Sequence, residues 1–103
     1  MAKLYLTEYV DIGRAHGTAV PIADAGSWAE NANSPIPIGG VSNPSVAFGA
    51  NTTVVRVHCD VICSILITFA GLSATTGNAR LAANQTEYFF VRPTQILSVI
   101  ANT

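Results

Sequence analysis

Charge is scarce in this chain: Asp, Glu, Lys and Arg make up 11% of its 103 residues, against about 25% in an ordinary soluble domain. The five basic and six acidic side chains leave a net charge of −1. The basic ones are spread from Lys3 to Arg92, so no patch gathers to hold phosphates and nucleic acid is not an expected partner. Long apolar runs are also missing. The longest, Val61 to Ala70, is interrupted by Ser64 and Thr68 and is about half the length a helix needs to cross a bilayer, so no membrane insertion is expected. The opening MAKLYLTEYVDIG meets Glu8 and Asp11 before its apolar residues accumulate, which argues against an export signal. On that expectation the N-x-T sequons at Asn51 and Asn84 carry no glycan.

Thiols and imidazoles are few as well. His16, His58, Cys59 and Cys63 are the only residues that could assemble a soft-metal site, and the C-x-x-x-C spacing lacks a second matched pair. On one continuous strand, residues four apart lie about 13 Å from each other, too far for a shared ion or a disulfide; across a hairpin they could approach. The expectation is two free thiols acting as small core hydrophobes, with a disulfide as the alternative and no cofactor. No hydroxyl sits in a nucleophile motif such as G-x-S-x-G, and the histidines and carboxylates are isolated along the chain, so an enzyme is not expected. Gly13-Arg14-Ala15-His16-Gly17 has the composition of an anion-binding turn but lacks the strand, glycine-rich loop and helix around it that a phosphate loop needs, and reads as a surface loop.

Half the residues are hydrophobic, fifteen of them Ala, and the larger ones cluster in short runs rich in Val, Ile and Thr, which suit a pleated, half-buried surface. Lys3 to Val10 alternates, with Leu4 and Leu6 on one side and Tyr5, Thr7 and Tyr9 on the other. From Asp11 to Gly49 frequent Gly and Pro forbid a long helix and leave a loop-rich segment with short extended pieces at Thr18–Ile22, Ile36–Val41 and Ser45–Phe48. A single helical turn near Ala23 to Ala32, capped by Asp24 or Ser27, fits between them. The second half is more regular. Val55, Val57 and Cys59 oppose Arg56, His58 and Asp60; Cys63, Ile65, Ile67 and Phe69 oppose Ser64, Leu66 and Thr68. Asp60 to Ile62 between these two strands suits a short hairpin loop. After a loop from Gly71 to Asn78, Glu87–Arg92 and Ile96–Ala101 supply two further strands, with Pro93 in the turn between them.

The whole reads as one all-β domain spanning residues 1–103, an antiparallel sandwich or barrel of jelly-roll or immunoglobulin-like type, with about seven or eight short strands and a loop-rich arm at 11–49. Depletion of charge is a property of buried interface cores, which points to a surface covered by partner subunits; a compact monomer with a neutral surface is the alternative. Tyr5, Tyr9, Arg14, His16 and Trp28 are the candidate interface residues. Trp28 lies outside any clear strand pattern, as an interface anchor or as a plug at one end of the core. Tyr5, Tyr9 and Tyr88 suit either a wet rim or a half-buried sheet face.

Three segments together carry a resemblance: Leu4-Tyr5-Leu6-Thr7-Glu8-Tyr9, then Thr53-Val54-Val55-Arg56-Val57-His58-Cys59 with Cys63-Ser64-Ile65, and Asn78-Ala79-Arg80-Leu81-Ala82-Ala83-Asn84-Gln85-Thr86-Glu87-Tyr88-Phe89. Covering roughly half the chain, they resemble the small decoration, or cement, proteins of tailed-bacteriophage heads. The resemblance implies a β-sandwich subunit made in the host cytoplasm and carried on the virion. There it would bind the major capsid protein on the outer surface of the shell, link neighbouring subunits, and self-associate.

Two other functions compete with this one. A tail, neck or fibre-base subunit would share the fold and the oligomeric habit. A module binding carbohydrate or another small ligand would need several exposed aromatics on one face, and one Trp with three Tyr scattered along the chain is thin support for it. The arm reading predicts that residues 13–44 can be removed with loss of assembly but not of the folded core.

Overall fold

The computed structural model describes residues 2–10, 12–15, 18–21 and 28–102, with 12–15, 18–21, 28 and 29 described through their backbone alone. Val, Ile and aromatic residues at period two produce the long strands: β1 (Lys3–Tyr9), β7 (Val54–Cys59), β8 (Cys63–Thr68), β10 (Thr86–Phe90) and β11 (Ile96–Ala101). The Gly- and Pro-rich stretches allow only short ones: β2 (Ile12–Ala15), β3 (Thr18–Pro21), β4 (Trp28–Glu30), β5 (Ile36–Pro37) and β6 (Asn43–Pro44), with β9 (Ala79–Leu81) in the second half. No helix occurs among the described residues.

The strands build two antiparallel sheets. One has the order β10-β7-β1, with β4 and β5 both pairing along the far side of β1; the other runs β6-β11-β8-β9. The inward residues of β1 and β7 (Leu4, Leu6, Val55, Val57 and Cys59) pack against Cys63 and Ile65 of β8 and Leu97 and Val99 of β11, joined by Leu81, Ile36, Ile38 and Phe48. Burying each large aliphatic side chain in this layer contributes about 1.5–3 kcal/mol. The result is an antiparallel β-sandwich and not a closed barrel, because the two sheets stay separate. β2 and β3 pair with each other, Ala15 opposite Thr18, in a small sheet of their own.

Several local expectations are corrected. Asp60 to Ile62 is not a hairpin loop: β7 and β8 lie in different sheets, so these residues carry the chain across the edge of the sandwich. Pro93 does sit in a turn, which likewise passes from one sheet to the other, and Thr94 takes the left-handed conformation there (φ 69°). Trp28 to Glu30 is strand β4 rather than part of a helical turn, because its backbone pairs with Thr7 to Tyr9; residues 22–27 lie outside the described residues. Gly13, Arg14 and Ala15 belong to β2 rather than to a surface loop. Extended pairing is confined to Ile36–Pro37 within 36–41, and Ser45–Phe48 is irregular.

Residues 31–49 are built into the sandwich, so removal of 13–44 would not leave the core intact. Besides supplying Ile36 and Ile38 to the core, this stretch contains Asn31, a buried amide whose side chain makes four hydrogen bonds. Its Nδ2 donates to Glu8 Oε2 (2.8 Å) and the Val46 carbonyl (2.9 Å), and its Oδ1 accepts from the amides of Asn33 (3.1 Å) and Val46 (3.0 Å). Glu8 Oε1 in turn accepts from the Gly49 amide (2.8 Å) and Thr52 Oγ1 (2.7 Å). Every buried side-chain polar atom among the described residues has a partner, as a low-dielectric interior requires.

Candidate functional site

The outward residues of β1, β7 and β10 form one continuous surface. Antiparallel register sets them in rows: Thr86, His58 and Tyr5; then Tyr88, Arg56, Thr7 and Glu30; then Phe90, Val54 and Tyr9, with the backbone of Trp28 opposite Tyr9. Because alternate residues of a strand share a face, three strands with aromatics at alternate positions gather those aromatics on one side of the sheet. Phe90, Tyr88 and Tyr5 are 81%, 48% and 41% exposed. For large rings on one face this is an unusual arrangement in a free monomer. Tyr9 and Val54 are buried at the Trp28 end of the face. Burial pushes the Tyr9 hydroxyl above its ordinary value, with Tyr88 and Glu30 adding to the shift and Arg56 opposing it.

The polar groups on this face bond to one another. His58 Nδ1 lies 2.7 Å from Thr86 Oγ1, and Thr7 Oγ1 donates to Glu30 Oε1 at 2.8 Å. The Tyr5 and His58 rings are tilted at 47° with centroids 6.5 Å apart. Tyr5, Thr7, Glu30, Arg56 and His58 together line an open cleft.

Of the five candidate interface residues, Tyr5 and Tyr9 fall on this face. The Trp28 backbone reaches its margin; Arg14 lies in the separate β2–β3 pair, opposite Ala19; His16 lies outside the described residues. The structure adds Arg56, His58, Tyr88 and Phe90. The three tyrosines are thus not scattered: long-range pairing of β1 and β10 on either side of β7 brings Tyr5, Tyr9 and Tyr88 to one surface. The period-two spacing of Tyr88 and Phe90 was the available signal, but it could not say which strand lay beside them.

Cys59 and Cys63 are free and buried, facing each other from the ends of β7 and β8. Cys59 Sγ donates to the Ala82 carbonyl at 3.0 Å. Burial, with the neighbouring Cys59 and a hydrogen bond between the two thiols, pushes the Cys63 thiol up to about 12. That thiol stays protonated at neutral pH, which makes it a poor nucleophile.

No family model, curated protein or solved structure matches this chain.

Proposed function

We propose that the protein is a non-enzymatic structural subunit of a tailed-phage virion that docks through the aromatic face of its β10-β7-β1 sheet onto the outer surface of the capsid and cements neighbouring major capsid subunits. The observation that carries docking is the convergence of Tyr5, Tyr88 and Phe90, exposed, on one sheet face. Exposed Tyr and Phe beside Arg56 are residue types enriched in interface cores, and Glu30 and Lys3 stand toward the far side of the face. The assignment of the capsid as partner rests on the sequence resemblance. The test is co-sedimentation of purified protein with phage heads that lack it. Uptake in proportion to the number of shell subunits, lost on Tyr88→Ala/Phe90→Ala, supports the proposal; uptake at a few copies moves the protein to the neck or tail.

A second reading has its own observation. The cleft of Tyr5, Thr7, Glu30, Arg56 and His58 combines exposed aromatic surface with convergent hydrogen-bonding groups, the arrangement a saccharide-binding face needs. Binding of soluble oligosaccharides that is lost on Tyr5→Ala, with no uptake by heads, favours this reading.

A further inference from the structure

Among the described residues, the four sheet edges of the sandwich are not alike. Three are made from strands of two or three residues: β4 and β5 beside β1, β6 beside β11, and β9 beside β8. Very short edge strands are a common device against unwanted pairing. The fourth edge is β10, Thr86-Glu87-Tyr88-Phe89-Phe90, with five residues, no Pro and no Lys. Its hydrogen-bonding parity follows from the bonds at its ends. The Gln85 carbonyl accepts from Cys59 N, and Val91 N donates to the Thr53 carbonyl. Odd-numbered residues therefore turn their backbone groups toward β7. In an antiparallel ladder both groups of a residue point to the same side, so Thr86, Tyr88 and Phe90 turn their N–H and C=O to the open edge. These same three residues are the exposed ones on the strand.

The geometry points to a two-fold dimer in which β10 pairs antiparallel with β10 of a second copy, centred on Tyr88. A second copy is the occupant because this strand complements itself in one register. Centring on Tyr88 lets Tyr88 exchange both backbone hydrogen bonds with its counterpart, and lets Thr86 and Phe90 exchange theirs with Phe90 and Thr86 of the other copy. All six free groups are satisfied, and Glu87 lies across from Phe89. Centring on Glu87 instead would set two carboxylates opposite each other, which is unfavourable. The axis stands perpendicular to the sheet, so both aromatic faces end on the same side, with the two Tyr88 rings adjacent. The dimer deepens the docking reading by supplying the second contact a linking protein needs. It stands on the edge itself, however, and is tested on the protein alone, so failure of either proposal is distinguishable from failure of the other.

The test combines sedimentation equilibrium with residue-resolved amide exchange. The wild-type protein is expected at twice its 10.8 kDa chain mass, with the amides of Thr86, Tyr88 and Phe90 exchanging at least about tenfold more slowly than in a dissociated sample. Those of Glu87 and Phe89 serve as internal controls, because β7 protects them in either state. Thr86→Lys/Phe90→Lys sets like charges opposite each other and is expected to give monomers; Thr86→Lys/Phe90→Glu sets opposite charges there and is expected to restore the dimer. Both variants lose the Thr86–His58 contact, so a folding defect would affect them alike, and both alter only outward residues. A wild-type monomer at chain concentrations up to about 1 mM, with fast exchange at Thr86, Tyr88 and Phe90, overturns the inference. Dimerisation of the Lys/Lys variant as tight as wild type overturns the register.

Discussion

The two outer faces of the sandwich are finished in opposite ways. On the β6-β11-β8-β9 sheet the outward residues Ser64 and Ser98 are completely buried, although they point away from the core. The cover is the loop 69–78 between β8 and β9. It begins with the Leu72 amide on Thr68 Oγ1 (3.2 Å), reaches the opposite edge where the Ala74 amide donates to Ser42 Oγ (2.9 Å), and returns past Asn102. Asn102 Nδ2 donates to both Ser64 Oγ (2.7 Å) and the Thr76 carbonyl (3.2 Å). On the β10-β7-β1 sheet the outward rings of Tyr5, Tyr88 and Phe90 remain exposed. One face is covered by the chain's own loop, which turns Phe69 and Leu72 outward; the other has no such cover among the described residues. The faces differ in exposed aromatic surface and not in freedom from charge, since the first carries Arg80 beside Ser64 and the second Arg56 and Glu30.

Exchanging the finish of the two faces is the most severe way to break this comparison. Replacing 72–77 by a short turn would uncover Ser64, Ser98, Leu66, Ile96 and Ile100, with an expected loss of about 2–4 kcal/mol in urea unfolding and new binding of a hydrophobic dye. A smaller effect comes from Gly71, where the loop leaves β8. Its φ of +64° disfavours any side chain, and an added Cβ would meet Ile96 Cδ1 at 3.1 Å. Gly71→Ala is expected to cost about 1–2 kcal/mol, read as a lowered denaturation midpoint. Asn102→Ala removes one strut and leaves the Ser64 hydroxyl buried without its donor, for about 1 kcal/mol by the same measurement. The smallest change is expected on the open face. Tyr88→Thr and Phe90→Thr should each alter stability by less than about 0.5 kcal/mol while weakening uptake by heads. A large stability loss there would mean that the rings are structural and that the two faces do not differ in purpose.

Much of the sandwich was legible in the chain because strand periodicity is local. Val55, Val57 and Cys59 against Arg56 and His58 read as inward and outward before any partner is known, and the structure keeps that division. The connections were less legible. Three residues between strands fit a hairpin loop and an inter-sheet crossing equally well, so the spacing of Asp60 to Ile62 does not distinguish the two. Ala79 to Leu81 was not anticipated as a strand at all; three residues carry too little alternation, and β9 exists because Cys63 to Ile65 lie beside it. Asn31 gave no signal as a buried hub, since its partners Glu8 and Val46 lie 23 and 15 residues away.

The sequence by itself determined the all-β character, the inward and outward sides of the long strands and the low charge of whatever surface they expose, because each follows from side-chain type and the period of an extended backbone. Only the tertiary structure decided that β1 and β10 flank β7, and hence that Tyr5, Tyr9, Tyr88 and Phe90 share a face while a loop seals the opposite one. Those choices depend on pairings between residues tens of positions apart, selected by which arrangement buries the most apolar surface and leaves the fewest backbone groups without partners, and no window of local sequence contains them.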